Sequence, residues 1–257
     1  MQFLAQVLPT FLLIFCRITA FFAVSPVFSF RNVPNTFKVG LAVFISILVF
    51  TVVDTQETIA LNGPYFLLMA KELMIGLLLG FTAYLFFTVV QVAGAFIDMQ
   101  IGFGIVNVID PMTGAQSPVL GNFKFFVAML IFLGLNGHHY LLLGLMDSYD
   151  WVPIDNAIFA RISEGGISQF LIDGFVRMFY LAFQMAAPLI VALFLVDVSL
   201  GILARTVPQF NVFVIGLPIK ISVGFLILLI VVPGFLILFK DLFLEMFKAM
   251  GELLSLI

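Results

Sequence analysis

The stretch Gln100–Gly121, QIGFGIVNVIDPMTGAQSPVLG, is built unlike the two long apolar runs that flank it. Gly102, Gly104 and Gly114 loosen the backbone, and Pro111 and Pro118 stop a regular helix. Yet Ile101, Phe103, Ile105, Val106, Val108, Ile109 and Met112 are too apolar for a solvent loop. Irregular apolar backbone is tolerated at membrane depth where protein buries it or where it lines a cavity. Two readings follow: a constriction or plug inside a conduit, and a turn packed between two helices.

The rest of the chain supplies the membrane context. Hydrophobic residues make up 63% of the 257 positions and charged residues only 10%, against about 25% charged in a soluble globular chain. The apolar runs are continuous rather than alternating, which excludes a porin-like barrel and indicates an all-α, polytopic membrane-type protein. A net charge of -3, with no basic patch interleaved with aromatics, argues against nucleic-acid binding. The single cysteine, Cys16, cannot form an internal disulfide. Met1–Leu8 contains no Lys or Arg, so the first apolar run is expected to be a retained helix rather than a secretory signal.

Six apolar segments follow one another. The first covers about Val7–Phe28 and carries Arg17 at its middle, a depth at which a charge calls for a protein partner or an aqueous lining. A connector with Arg31, Pro34 and Lys38 leads to a second helix, about Phe37–Val53. The third, about Tyr65–Met99, is too long for one span, and its first turns hold Lys71 and Glu72, able to satisfy each other or a neighbour. Gly76 and Gly80 form a small-xxx-small face, and Gln91, Gly94, Asp98 and Gln100 give its end a polar row. A fourth helix is expected over about Phe123–Met146, with Tyr149 and Trp151 beyond it at the lipid interface. The fifth spans about Ser168–Val196, with Asp173 and Arg177 spaced to pair and Pro188 set to kink it. A basic bend, Asp197–Gln209, precedes a sixth helix, about Phe210–Phe239. The polar stripe Lys240, Asp241, Glu245, Lys248 and Glu252 then marks a separate amphipathic helix. Arg31-Asn-Val-Pro34-Asn35 and Arg205-Thr-Val-Pro208-Gln209 echo each other, and positive-inside counting puts these basic bends on the cytoplasmic side.

Residues for chemistry are scarce. There is no phosphate loop, no His-Glu-x-x-His pair and no nucleophile elbow. His138 and His139 are adjacent and would project about 100° apart on a helix, a poor grip for one metal. No enzyme activity, metal or cofactor is expected.

From the third helix onward the chain resembles the FliR family of flagellar type III export gate proteins, which is homologous to an export-apparatus protein of virulence injectisomes. The matching stretches are Lys71-Glu72 through Gly80, Ala93-Gly94-x-x-x-Asp98-x-Gln100-x-Gly102, Asp110-Pro111, Asn136-Gly137-His138-His139 with Ser148, and Ala187-Pro188. The most specific is Arg205-Thr-Val-Pro208-Gln209-Phe-Asn211-Val-Phe213-Val-Ile-Gly216-Leu-Pro218-Ile-Lys220.

The resemblance implies a channel subunit with broken helical hairpins, like a FliP-like part (about 1–166) fused to a FliQ-like part (about 167–257). It implies several FliP and FliQ subunits as partners, with FlhB at the entrance, unfolded flagellar substrates as cargo, and a place in the inner membrane within the flagellar basal body. It implies that the central segment is a plug, with Asn107, Asp110, Pro111, Met112 and Gln116 holding it closed and Gly102, Gly104 and Gly114 letting it move. Arg17, Lys71, Glu72, Asp98, Gln100, Arg205, Pro208, Gln209, Asn211, Pro218 and Lys220 are the expected polar and assembly positions. The equivalent injectisome subunit, a self-contained secondary transporter and an inert scaffold remain as other readings.

Overall fold

The computed structural model describes residues 2–30, 33–52, 63–103, 118–154, 166–207, 209 and 211–257. Seven helices carry almost all of these: α1 (Gln2–Val24), α2 (Asn35–Val52), α3 (Gly63–Ile101), α4 (Val119–Gly134), α5 (Gly137–Trp151), α6 (Gly166–Thr206) and α7 (Val212–Leu256). No strand occurs among the described residues. Among the described residues, five helices are long and apolar enough to cross a membrane, or six spans if the bent pair α4–α5 counts as one. The architecture is all-α and polytopic.

Helix α1 stops at Val24 rather than Phe28, because Pro26 lacks an N–H and disfavours helix in the residue before it. The single rod expected over Phe123–Met146 is two helices. Asn136 takes a left-handed conformation (φ 57°) between Gly134 and Gly137, which Asn tolerates better than most residues. Helix α6 does not end at Val196. The supposed bend is helical to Thr206, with Ser199 and Thr206 hydroxyls donating to carbonyls one turn back instead of competing with the helix. The C-terminal amphipathic stretch is the last part of α7, which runs on through Pro218 and Pro233. Its faces largely follow the sequence pattern: Lys240, Asp241, Lys248 and Glu252 are exposed and Phe243, Met250 and Leu254 buried, while Glu245 and Phe247 are both half-buried.

The chain forms two compact units, each assembled from separate segments. The first comprises Met1–Phe86, Leu135–Gly174 and Phe243–Ile257. Leu13, Ile14, Ile18 and Phe21 of α1 are fully buried in it, with Ile75 and Leu79 of α3. Close approach is built into the sequence: a Cβ on Gly76 would strike the Arg17 carbonyl, and one on Gly80 would come within 2.9 Å of the Phe21 carbonyl. The small-xxx-small face therefore seats α3 on α1.

The second unit comprises Phe87–Gly134 and Phe175–Leu242. Phe87 meets Phe125 and Phe132 edge-on, at centroid distances of 6.0 and 5.1 Å. Its core continues through Val90, Ala93 and Ile97 of α3, Ala128 of α4, and Ala182, Leu189 and Leu193 of α6.

Candidate functional site

In the second unit, Asp98 fixes both ends of the segment on which the sequence reading centred. Its carboxylate accepts the Leu120 N–H at 3.1 Å with each oxygen and the Gly121 N–H at 3.4 Å. These are first-turn donors of α4, which have no partner within their own helix. The Asp98 carbonyl accepts the Gly102 and Phe103 N–H groups at 3.2 and 3.0 Å. Gly102 takes φ 103°, a conformation that favours glycine, and a Cβ there would meet Leu217 at 2.8 Å. Gly94 lies so close to the Gly121 backbone that a Cβ on Gly94 would collide with it, and a Cβ on Gly121 would press on the Gln91 carbonyl and the Pro118 ring at 3.0 Å. Asp98 is 6% exposed, so this clamp works in a largely water-free setting.

A second polar centre in the same unit gathers on Asp197 of α6. Lys220 of α7 reaches both its oxygens, at 2.9 and 3.0 Å, and Gln100 donates to it at 3.2 Å. Two of the expected assembly residues, Gln100 and Lys220, thus meet on Asp197, which was not expected among them and whose sequence context suggests a connector. Lys124 is 3% exposed, and its ammonium lies 4.0 Å from the centre of the Phe235 ring.

In the first unit, Arg17 is wholly buried and all five guanidinium N–H donors are used. Two go to Glu72, at 2.6 and 3.0 Å. The others go to the Ser148 carbonyl at 2.9 Å, the Ser148 hydroxyl at 3.0 Å and the Val152 carbonyl at 2.9 Å. Lys71 donates to the Pro153 carbonyl at 2.5 Å and lies 3.9 Å from Glu72. The charges on α1 and α3 therefore close the C-terminal end of α5, whose last carbonyls lack helical partners. Tyr149 is not at a lipid interface as expected. It is 4% exposed, stacks under Arg17 at 4.0 Å and donates to the Ile14 carbonyl. Trp151, at 59%, is exposed.

A family model of bacterial export proteins, family 1, matches residues 8–246. The chain is 43% identical over 257 residues to the flagellar biosynthetic protein FliR of Bacillus subtilis (strain 168), covering all of this chain and 99% of that one. It belongs to the FliR family. The FliR of Escherichia coli (strain K12) is 29% identical over 245 residues, 93% of this chain and 90% of its own. The Yop proteins translocation protein T of Yersinia pestis is 30% identical over 223 residues, 86% and 85% of the two chains, so the family extends to injectisome export proteins.

The predicted positions of this FliR-family chain divide into three groups. Arg17, Lys71 and Glu72 come together in the first unit, and Asp98, Gln100, Gly102 and Lys220 fall within the two centres of the second. Arg205, Gln209, Asn211 and Pro218 are exposed. Gly104, Asn107, Asp110, Pro111, Met112, Gly114, Gln116 and Pro208 lie outside the described residues. Ser148 and Asp197 carry more of the geometry than their sequence context revealed. The unmatched charge of Lys220 was the signal that a carboxylate had to be found. Asp173 accepts from Gln169 at 2.9 Å. Among the described residues no group of three or more His, Cys, Asp or Glu could hold a metal.

Proposed function

We propose that this chain is a non-enzymatic core subunit of a flagellar type III protein export gate in the bacterial inner membrane. In this reading it joins several FliP and FliQ subunits within the basal body, meets FlhB at the entrance, and helps close and open a path for unfolded flagellar substrates. The supporting observation is how bare α6 and α7 are. Only 22% and 17% of their apolar windows are buried, against 61% for α3. Polar Arg205, Gln209 and Asn211 stand exposed where one helix gives way to the other. Lipid would cover the apolar rows, but polar groups among them call for partner chains. A fusion of a FliP-like part (1–166) with a FliQ-like part (167–257) would give one chain surfaces suited to both kinds of neighbour.

The same reading makes the central segment the plug, with Asp98 holding its base. Asn107, Asp110, Pro111, Met112 and Gln116 would form the closed constriction, and the glycines would permit its displacement. The test is ion conductance of the assembled gate after deletion of Asp110–Gln116. Raised leakage through an intact complex is expected, and unchanged conductance contradicts the plug. The flagellar assignment is preferred over the injectisome one because the Bacillus subtilis FliR is more similar, and over the whole chain.

A further inference from the structure

We propose that the groove between α1 and α2 binds an anionic phospholipid of the surrounding membrane. A cavity of about 330 Å³ opens there, lined by Thr19, Phe22, Ala23, Asn35, Lys38, Val39 and Ala42. All of these belong to the first unit. Phe22 and Ala42 are buried, and Val39 is 52% exposed at the rim, so the walls suit an acyl chain. The polar groups are different in kind. Lys38 is half-buried, and among the described residues its ammonium has neither an ion-pair nor a hydrogen-bond partner, its backbone N–H alone being spent on the Pro34 carbonyl. Thr19 spends its hydroxyl proton on the Phe15 and Cys16 carbonyls, so it offers a ligand no donor. Lys38 and the Asn35 amide are therefore the groups able to meet a headgroup.

Depth supports the same occupant. Val7–Val24 and Asn35–Val52 are both candidate spans, and α1 and α2 pack against each other. The groove lies within the last turns of α1 and the first turns of α2, within about 10 Å of the helix ends at 1.5 Å per residue. For helices that each span a bilayer, the ends are where hydrocarbon gives way to headgroups. A lysine at this level attracts the phosphate of an anionic lipid. Arg31 adds a second positive charge to the same connector in sequence. A wholly apolar groove would suit any lipid or another helix; a cation in its wall favours a negative headgroup. The inference does not depend on the export reading.

The test uses the full-length chain purified with its complex in mild detergent. Dioleoylphosphatidylglycerol or dioleoylphosphatidylcholine is titrated in, and bound lipid is counted by native mass spectrometry. Wild type should bind the anionic lipid in preference. Lys38→Gln should weaken that binding about fivefold, the effect of one basic residue at a membrane surface, and Lys38→Arg should restore it. Val39→Trp, which fills the groove from its exposed rim, should lower binding with Lys38 intact. Equal binding of both lipids by wild type, or undiminished phosphatidylglycerol binding by Lys38→Gln in a complex that assembles normally, overturns the proposal. So does a groove occupied by protein, shown by a photo-cross-linker at position 39 that captures a polypeptide and no lipid.

Discussion

Arg17 shows how a charge survives at the middle of an apolar helix: every donor is matched, and two of its three partners are on the end of another helix. Breaking such a pair leaves an uncompensated buried charge. Glu72→Gln should therefore destabilise the chain by about 3–5 kcal/mol, seen as a lower melting temperature in detergent. Replacing both Arg17 and Glu72 with apolar residues should cost less than either single change, because no lone charge remains. Asp98→Ala should cost about 1–2 kcal/mol through the lost cap on α4, read as faster hydrogen exchange at the Leu120 and Gly121 amides. That Arg17 needed a partner was legible from its depth in the first apolar run. That the partner was Glu72, 55 positions along the chain, was not, since nothing local pairs α1 with α3 except the glycines that let them touch. Asp197 was missed for a related reason. Beside Ser199, Gly201 and Arg205 it looks like part of a polar bend, until Lys220 and Gln100 converge on it.

At the scale of elements, apolar periodicity located the helices but not their ends. Pro26 ended α1 early, whereas Pro188, Pro218 and Pro233 did not end α6 or α7. A proline inside a helix removes one backbone hydrogen bond and can kink the helix without ending it, and residue type alone does not say which will happen. The α4–α5 break was legible in composition, since Gly134, Asn136 and Gly137 are poor helix formers, yet the apolar residues around them suggested one rod. The decisive feature is the backbone of Asn136 at φ 57°. Asn136→Gly should leave the break and the stability unchanged within a few tenths of a kcal/mol. Asn136→Val should cost about 1–2 kcal/mol, because a β-branched side chain is strained there. Thermal unfolding of the two variants side by side checks both outcomes.

At the scale of the whole molecule, class came from composition: 63% hydrophobic residues in continuous runs leave few alternatives to a helical membrane protein. Helices α3, α6 and α7, with 39, 41 and 45 residues, are about twice the length a bilayer core needs. Composition does not say what lies along the surplus. The faces of α6 and α7 are exposed, with polar groups set among Phe, Val and Ile, and in the proposed gate they would meet neighbouring chains. The most direct test is native mass analysis of the full-length chain, tagged in its own host and extracted in mild detergent. The gate reading predicts one copy of this chain bound to several FliP-like and FliQ-like chains. A stable, isolated monomer that transports a solute by itself would contradict it.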